Sequence, residues 1–452
     1  MEREHFGSRI GFILLSAGCA IGLGNVYRFP MKVGQNGGGV FVLIYIACLV
    51  LLGLPVMVME FTLGRAAQAS PVRIYHKLTP EKKPWRIHGY LSLAANVLLM
   101  MFYTTIAGWI LKYCLKSATG AFKGLGEEAI TDMFMQTLEN PWMMILFTAI
   151  VAAAACFICS FSLQNGLERV TKYMMLALFV LMLIMAVYVS TLPGAGEGYS
   201  FYLKPDFSKV NATVISEAMN QSFFTLSLGI GSMAVFGSYL GKERSLMGES
   251  VNIIILDTCV AIVAGLIIFP ACFTYNVPPT EGAGLLFLTL PNVFAGIPGG
   301  SVLGALFFIF MTFAAFSTVL AVYENIIACI CELTGWSRKK TSLITFIGMV
   351  LLNIPFILGN NVWSSFKAFG IEGKDVSDLE DFFVSTIMLP LGSLIYVIYC
   401  TQRLGWGWDN FIGEANTGKG LKFPKWIRGY VTFVLPLIIL LIFVLGLIAY
   451  FK

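Results

Sequence analysis

Eleven apolar runs, each near the length that a helix needs to cross a bilayer, follow one another along this chain. About 20 apolar residues span the hydrocarbon core as an α-helix. No water reaches that core, so a spanning segment must satisfy its own backbone hydrogen bonds, and a helix does so. We therefore expect an all-α membrane protein whose residues 1–452 form a single transmembrane domain. The eleven transmembrane helices are placed at 9–31, 39–62, 89–115, 142–161, 166–191, 213–240, 250–274, 300–332, 341–358, 379–401 and 429–450. A further stretch, 276–295, is broken by Pro and Gly, and we expect an external re-entrant or capping loop there.

The charge content excludes other classes of protein. Only 12% of the residues are charged and 57% are hydrophobic, whereas soluble domains carry about 25% charged residues. The three histidines, His5, His76 and His88, fall at or near the predicted cytoplasmic surface, with no nucleophile–base pair or metal cluster at membrane depth. An enzyme is therefore the least favoured class. No nucleic-acid partner and no organic cofactor are expected.

The distribution of lysine and arginine predicts the orientation. Loops rich in these residues stay on the cytoplasmic side of a membrane. With the N-terminus inside, the loops on that side hold 20 of the 30 Lys and Arg residues. We expect a multi-pass protein of the cell membrane with a cytoplasmic N-terminus. Because the number of helices is odd, the C-terminus is expected outside.

Two of the predicted helices carry paired glycines near mid-membrane. Residues 20–25 read AIGLGN and residues 227–232 read SLGIGS. Each glycine costs about 1 kcal/mol of helix stability relative to alanine, although close helix packing at small residues explains either segment taken alone. The two segments fall five helices apart, at the first position of each half of a 5+5 arrangement, and five is odd, so the second half is inverted. Interrupted helices at matching positions of two halves point to a transporter binding site.

At these residues the chain resembles the neurotransmitter:sodium symporters, and among them the bacterial amino-acid transporters with eleven helices. Four stretches carry the resemblance, which covers essentially the whole chain: GLGNVYRFP at 22–30, NGGG at 36–39, NGLERVTK at 165–172 and FFTLSLGIG at 223–231. The resemblance implies a LeuT-like fold, with helices 1 and 6 broken, inverted-repeat halves at about 9–191 and 213–401, and an extra helix at 429–450. It also implies sodium-coupled import of an amino acid by alternating access.

The resemblance implies two sodium sites and assigns their ligands. The first site, Na1, takes the Ala20 carbonyl and the side chains of Asn25, Thr225 and Asp257. The second site, Na2, takes the carbonyls of Gly18, Ile21 and Ala314 and the hydroxyls of Ser317 and Thr318. Serine and threonine in helices more often bond back to their own turn, so the two hydroxyls alone are weak support for an ion site.

Asp257 also bears on chloride. A carboxylate within a membrane helix marks a functional site by default, and its alternative is a position near the cytoplasmic end with access to water. Chloride-dependent relatives use a tyrosine, a glutamine and two serines; here Tyr45 and Gln221 match, but Thr225 and Ala261 occupy the serine places. With a carboxylate already supplying negative charge, we expect chloride independence. Whether Asp257 or another acid returns a proton stays open.

The implied substrate pocket lies between the two breaks. The Tyr103 hydroxyl would donate to the substrate carboxylate, assisted by the N–H groups around Leu23 and Gly24. The carbonyls of Ala20, Phe224 and Thr225, together with Ser227, would receive the ammonium group. The remaining walls would come from Gly22, Leu99, Phe224, Gly229, Ile230, Thr318, Val319 and Val322. No acid is among them, so a neutral, hydrophobic side chain is favoured, and Gly229 would let the loop recede for a large or aromatic one. The alternative reading of each aliphatic residue is ordinary core.

Charged residues at both ends of the predicted bundle resemble the gates of the family. Arg28 and Asp381 are expected to form an external ion pair, with Tyr103 and Phe224 closing a lid beneath it. Inside, Arg3, Glu332 and Tyr239 are expected to hold the N-terminus down. An isolated charged pair at a water-facing mouth contributes little stability, which suits a gate that must open. Gln35 stands where relatives commonly have glutamate, which puts the usual outer charge network in doubt.

Three alternatives stay open. A non-transporting amino-acid sensor could use the same scaffold, although charged gates at both ends argue against it. A sodium symporter could carry another small zwitterionic solute, such as a small amino acid or a betaine-like compound. A channel is less favoured, because the polar residues form closed sites rather than a continuous lining.

Overall fold

The computed structural model describes residues 4–274, 285–296 and 300–451. Within these ranges, nine helices are long and apolar enough to cross a membrane, and one bent pair adds a further span. Together with a second broken span they are numbered Arg9–Ala20 (α1), Gly24–Gln35 (α2), Gly39–Ala67 (α3), Lys83–Ala118 (α4), Pro141–Cys159 (α5), Gln164–Val189 (α6), Ala212–Thr225 (α7), Ser232–Gly237 (α8), Leu246–Thr274 (α9), Gly300–Thr334 (α10), Arg338–Gly359 (α11), Val376–Thr401 (α12) and Lys425–Tyr450 (α13). The described part contains no strand, only two isolated bridges, and the expected all-α class is confirmed.

Both predicted helix breaks are present. Helices α1 and α2 meet at an angle of 50° around residues 21–23. Between α7 and α8 the chain turns at 226–231, where Ser227, Gly229 and Gly231 have φ angles of +50°, +87° and +77°. Glycine adopts this left-handed conformation without steric cost, so the glycines at the third and fifth positions of SLGIG fit the loop. The predicted helix 213–240 is thus two helices joined by a loop.

Four of the numbered helices, α2, α3, α12 and α13, contain a widened turn just before a proline. The π-helical turns 24–28, 49–53, 382–388 and 430–434 each end two residues before Pro30, Pro55, Pro390 or Pro436. Proline lacks a backbone N–H, and its ring clashes with the carbonyl four residues earlier. A turn with i→i+5 hydrogen bonds moves that carbonyl aside, so the helix continues past the proline.

Shorter helices lie outside the spans, at Pro71–Leu78, Glu127–Glu139, Ala195–Leu203 and Trp408–Ala415. Of the stretch predicted as an external loop, 276–284 lies outside the described residues. The rest is helical, as Leu285–Thr289 and Leu290–Gly296, rather than a loop. Phe287 stacks on Phe134 with ring centroids 5.3 Å apart and packs edge-on against Trp109. Aromatic packing against α4 thus orders this segment.

The basic loops meet at one end of the bundle. Three contacts join them: Gly7 N–H to the Glu168 carboxylate at 2.8 Å, Arg65 to Glu414 at 2.7 Å, and Lys82 to the Arg403 carbonyl at 2.9 Å. At the other end, Tyr450 stacks on Phe382, one residue after Asp381, with centroids 3.9 Å apart. The N-terminal residues and the end of α13 therefore lie at opposite ends of the molecule, as an odd number of crossings requires.

Candidate functional site

A narrow cavity of about 20 Å³, measured for a water-sized probe, lies where the two helix breaks face each other. That is room for about one water molecule, so the walls must move apart to admit a ligand. Its lining residues are Cys19, Ala20, Gly22, Gly24, Leu99, Tyr103, Phe224, Ser227, Ile230, Thr318, Val384 and Leu389. None of these residues is charged, and most of the wall is apolar.

Nine of the predicted pocket residues line this cavity, and five others do not. Leu23 contributes only its backbone, while Thr225, Gly229, Val319 and Val322 are absent from the wall. The two valines are buried in the general core. Three lining residues were not predicted: Cys19, one residue before the expected stretch of α1, and Val384 and Leu389 of α12.

Polar groups converge on the cavity from both breaks. The Tyr103 hydroxyl accepts a hydrogen bond from the Leu23 N–H at 2.9 Å, which leaves the hydroxyl hydrogen available to donate. Thr318 Oγ1 lies 3.3 Å from the carbonyls of Gly18 and Cys19. A Cβ at Gly22 would collide with the hydroxyls of both Thr318 and Tyr103, so only glycine allows this approach. The cavity can thus offer donors to a carboxylate and carbonyl oxygens to an ammonium group.

Gly229 lies outside the cavity wall and packs against α12. Its N–H donates to the buried carboxylate of Glu60 at 2.6 Å, and a Cβ at this position would overlap the Leu389 carbonyl oxygen of α12. In turn, a Cβ at Gly392 would overlap the Gly229 carbonyl. The glycine thus lets the loop lie backbone-to-backbone against α12, and whether this makes room for a large side chain stays a prediction.

Gly229→Ala is expected to destabilise the protein. Left-handed backbone costs a non-glycine residue about 1–3 kcal/mol, and the overlap with Leu389 adds to it. We expect a lower midpoint of thermal unfolding in detergent and loss of transport. Gly348→Ala is the matched control, because that helical glycine of α11 has no heavy atom within 4 Å of the added Cβ. Equal midpoints for the two variants would contradict the argument.

The predicted Na1 side chains form one buried cluster. Thr225 Oγ1 lies 3.2 Å from Asn25 Oδ1 and 3.3 Å from Asp257 Oδ1, and Asn25 Nδ2 donates to the same Asp257 oxygen at 2.8 Å. Tyr45 Oη lies 3.5 Å from the other Asp257 oxygen. The Asp257 side chain is fully buried, and no Lys or Arg of the described residues forms an ion pair with it. A buried carboxylate without a positive partner is costly, and an alkali cation among these oxygens would supply the missing charge.

The predicted Na2 groups also come together. Ser317 Oγ lies 3.1 Å from the Ile21 carbonyl and 2.9 Å from the Ala314 carbonyl. With Thr318 facing Gly18, both hydroxyls bridge from α10 to the end of α1. The Ser317–Ala314 contact is the back-bond that helices commonly make, but the contacts to α1 are not. Both clusters use neutral or anionic oxygen, and the described residues contain no group of three or more His, Cys, Asp or Glu fit for a transition metal.

The outer ion pair is present. Arg28 lies 3.2 Å from Asp381, and Ser385, which was not predicted, accepts from Arg28 at 2.9 Å and donates to Asp381 at 2.6 Å. The Arg28 guanidinium stands 4.0 Å from the centre of the Phe224 ring. Phe224 and Tyr103 line both the inner cavity and an outer vestibule of about 440 Å³. These two rings therefore separate the two spaces.

The predicted inner gate lies partly outside the described residues, because Arg3 does, so the gate stays a prediction. Among the described residues, Glu332 accepts hydrogen bonds from the N–H and hydroxyl of Ser70 at 3.0 and 2.7 Å. Tyr239 donates to the fully buried Glu324 at 2.7 Å. Arg338 pairs with Glu324 at 2.5 Å and also donates to the Cys159 carbonyl. Glu324 and Arg338 were not predicted, although a glutamate within an apolar run is itself a signal.

Comparisons with known proteins agree with this geometry. A family model described as the sodium:neurotransmitter symporter family matches residues 3–137 and 127–452. An uncharacterized sodium-dependent transporter of Bacillus subtilis (strain 168), YhdH, is 34% identical over 442 residues, covering 97% of this chain and 96% of its own. The sodium-dependent serotonin transporter of Drosophila melanogaster is 25% identical, covering 99% of this chain and 77% of its own. The crystal structure of MhsT in complex with L-phenylalanine superposes with a TM-score of 0.89 at 36% identity, covering 98% of this chain and 99% of that one.

Proposed function

Since this chain belongs to the sodium:neurotransmitter symporter family, and is thus a multi-pass sodium-dependent transporter of a small molecule rather than an enzyme, we propose that it imports neutral, hydrophobic L-amino acids by alternating access. The observation that carries the proposal is the cavity between the two breaks. It has hydrogen-bond donors and carbonyl oxygens at one part of its wall, an apolar remainder and no charged lining residue. An aliphatic or aromatic zwitterion fits that chemistry.

The lack of an acid in the wall argues against cationic substrates. A buried ammonium or guanidinium side chain would have no counter-charge, and burying an unpaired charge is costly. The structural neighbour MhsT, seen in complex with L-phenylalanine, holds an aromatic amino acid of the proposed class. A small amino acid or a betaine-like solute has less apolar surface to place against this wall, which makes it the weaker candidate.

Two sodium ions per cycle are proposed, one at each oxygen cluster. A tenfold sodium gradient is worth about 1.4 kcal/mol, and a potential of 100 mV about 2.3 kcal/mol per charge. Two ions with a zwitterionic substrate would supply roughly 7 kcal/mol, enough for accumulation on the order of 10⁵-fold under tight coupling. Two coupled sites would thus suffice for scavenging uptake.

Chloride independence is proposed because Asp257 already carries a negative charge. Its carboxylate lies beside Tyr45, the tyrosine at which chloride-dependent relatives are expected to bind the anion, and it already supplies one negative charge. Gln221 donates to the Gly24 carbonyl at 2.8 Å, so one hydrogen of its amide is engaged. A chloride ion beside Tyr45 and Gln221 would be repelled by the negative charge of the Asp257 carboxylate.

We further propose that the protein lies in the cell membrane with its N-terminus in the cytoplasm and the end of α13 outside. The end that gathers the basic loops would face the cytoplasm. Residues of about 9–191 and 213–401 would act as the two inverted halves of one transport domain, with α13 added to them.

The test is uptake into liposomes holding the purified protein. Labelled leucine, methionine, tyrosine and tryptophan are offered under an inward sodium gradient, with potassium as the control cation and gluconate replacing chloride in parallel. We expect accumulation that requires sodium and is unchanged without chloride. Saturable binding without accumulation under any gradient would favour the sensor instead. No sodium-dependent binding of any of the four would remove the substrate proposal.

A further inference from the structure

We propose that helix α12 forms a size-selecting wall of the substrate cavity, with Val384 and Leu389 as its specificity-determining residues; this inference rests on the proposed amino-acid transport. Neither residue belongs to the pocket that family resemblance assigns, which draws on the broken spans α1–α2 and α7–α8 and on α4 and α10. Both residues line the cavity. Val384 is fully buried and Leu389 is 2% exposed, so neither faces lipid or water.

The π-helical turn 382–388 explains how both residues reach the cavity. In an α-helix with 3.6 residues per turn, residues five apart point about 140° away from each other. In a π turn the hydrogen bonds run from i to i+5, so residues five apart share a face. Val384 and Leu389 are five apart and straddle the end of this turn. The widened turn before Pro390 therefore gives the cavity a continuous aliphatic surface from one helix.

The backbone of this wall is closely packed against the loop between α7 and α8. The loop at Gly229 lies against the backbone of α12 at Leu389 and Gly392, where even a single added Cβ would overlap. The same helix continues into Ser385 and Asp381, which bond to Arg28 at the outer mouth. With the backbone held on both sides, the volumes of the two side chains set the room that is left. Closely packed interiors respond to a change of a single methylene group.

The chemistry of the wall also suits it to contact only the apolar side chain of a substrate. The hydroxyl, N–H and carbonyl groups that face the cavity come from α1, α4, α10 and the breaks. From α12 the cavity is lined by two aliphatic residues, Val384 and Leu389. A change at Val384 should therefore alter preference among side chains and leave the recognition of the amino and carboxylate groups in place.

The experiment measures sodium-dependent uptake of leucine and tryptophan by reconstituted Val384→Ala and Val384→Leu proteins. A methylene difference in an apolar pocket changes selectivity about tenfold or more. We expect the ratio of uptake efficiency (Vmax/KM), tryptophan over leucine, to rise about tenfold in Val384→Ala and to fall about tenfold in Val384→Leu. Thr386→Ala is the matched control, because this residue of the same turn faces Gly446 of α13 instead, and its ratio should equal that of the wild type.

The outcomes separate specificity from folding and from the parent proposal. If Val384→Ala lowers the efficiency for both amino acids in parallel at an unchanged ratio, the residue is merely structural and the inference is overturned, whether or not Val384→Leu folds. If Thr386→Ala shifts the ratio as much as Val384→Ala, selectivity does not reside in this wall. If the wild type shows no sodium-dependent uptake of either amino acid, the proposed function fails first and this inference with it.

Discussion

Asp257→Asn is expected to raise the sodium concentration for half-maximal uptake about 30-fold or more. The carboxylate is fully buried among Asn25, Thr225 and Tyr45, which are all neutral. Removing one partner of a buried charge pair costs about 2 kcal/mol or more, and 2 kcal/mol corresponds to about 30-fold in affinity. Asparagine keeps the size and one oxygen, so the change removes charge with little change of shape.

The measurement is the sodium dependence of labelled amino-acid uptake at a fixed membrane potential. Thr258→Val serves as the control, because the neighbouring Thr258 is partly exposed on the same helix and no hydrogen bond joins it to the cluster of Asp257, Asn25 and Thr225 in the described structure. The control should keep the wild-type sodium dependence. A sodium dependence in Asp257→Asn that matches the wild type would show that the carboxylate does not contact the ion.

The fold was largely predictable because its strongest constraint, the length of each apolar run, can be read directly along the sequence. Apolar length places the spans, and paired glycines place both breaks. Helix ends were harder to predict from the sequence. Helix α4 runs over Lys83–Ala118 and is longer than the predicted 89–115, because its ends extend beyond the apolar run into polar sequence. The helical part of 285–296 was missed because its order comes from ring packing of Phe287 with distant residues.

The ion clusters were predictable for a different reason from the cavity wall. Their ligands lie at the breaks themselves or carry a polar group at membrane depth, as Asp257 does. Val384 and Leu389 are indistinguishable from core residues by type, and only the π turn before Pro390 directs them inward. Pro390 does indicate an irregular turn. Which residues of that turn point toward the cavity, however, depends on tertiary packing and cannot be read from the sequence.

Arg338→Gln is expected to lower the free energy of unfolding by about 3–5 kcal/mol, the usual effect of leaving one member of a buried ion pair alone. Glu324 is fully buried within α10, and Arg338 is its only ion-pair partner in the described part of the chain. With the guanidinium removed, the carboxylate would keep only the Tyr239 hydroxyl at 2.7 Å. The Cys159 carbonyl would lose the two hydrogen bonds that tie α11 to α5.

A double-mutant cycle distinguishes a charge effect from lost packing. If the unpaired charge is the cause, Glu324→Gln combined with Arg338→Gln should recover much of the stability, measured by thermal unfolding in detergent. Lys339→Gln, an exposed neighbour on the same helix, should have no effect. Strictly additive losses in the double variant would mean that the two side chains stabilise the inner end separately. Recovery would instead show that the pairing of Glu324 with Arg338 stabilises the inner end, where the same contact joins α10, α11 and the chain after α8.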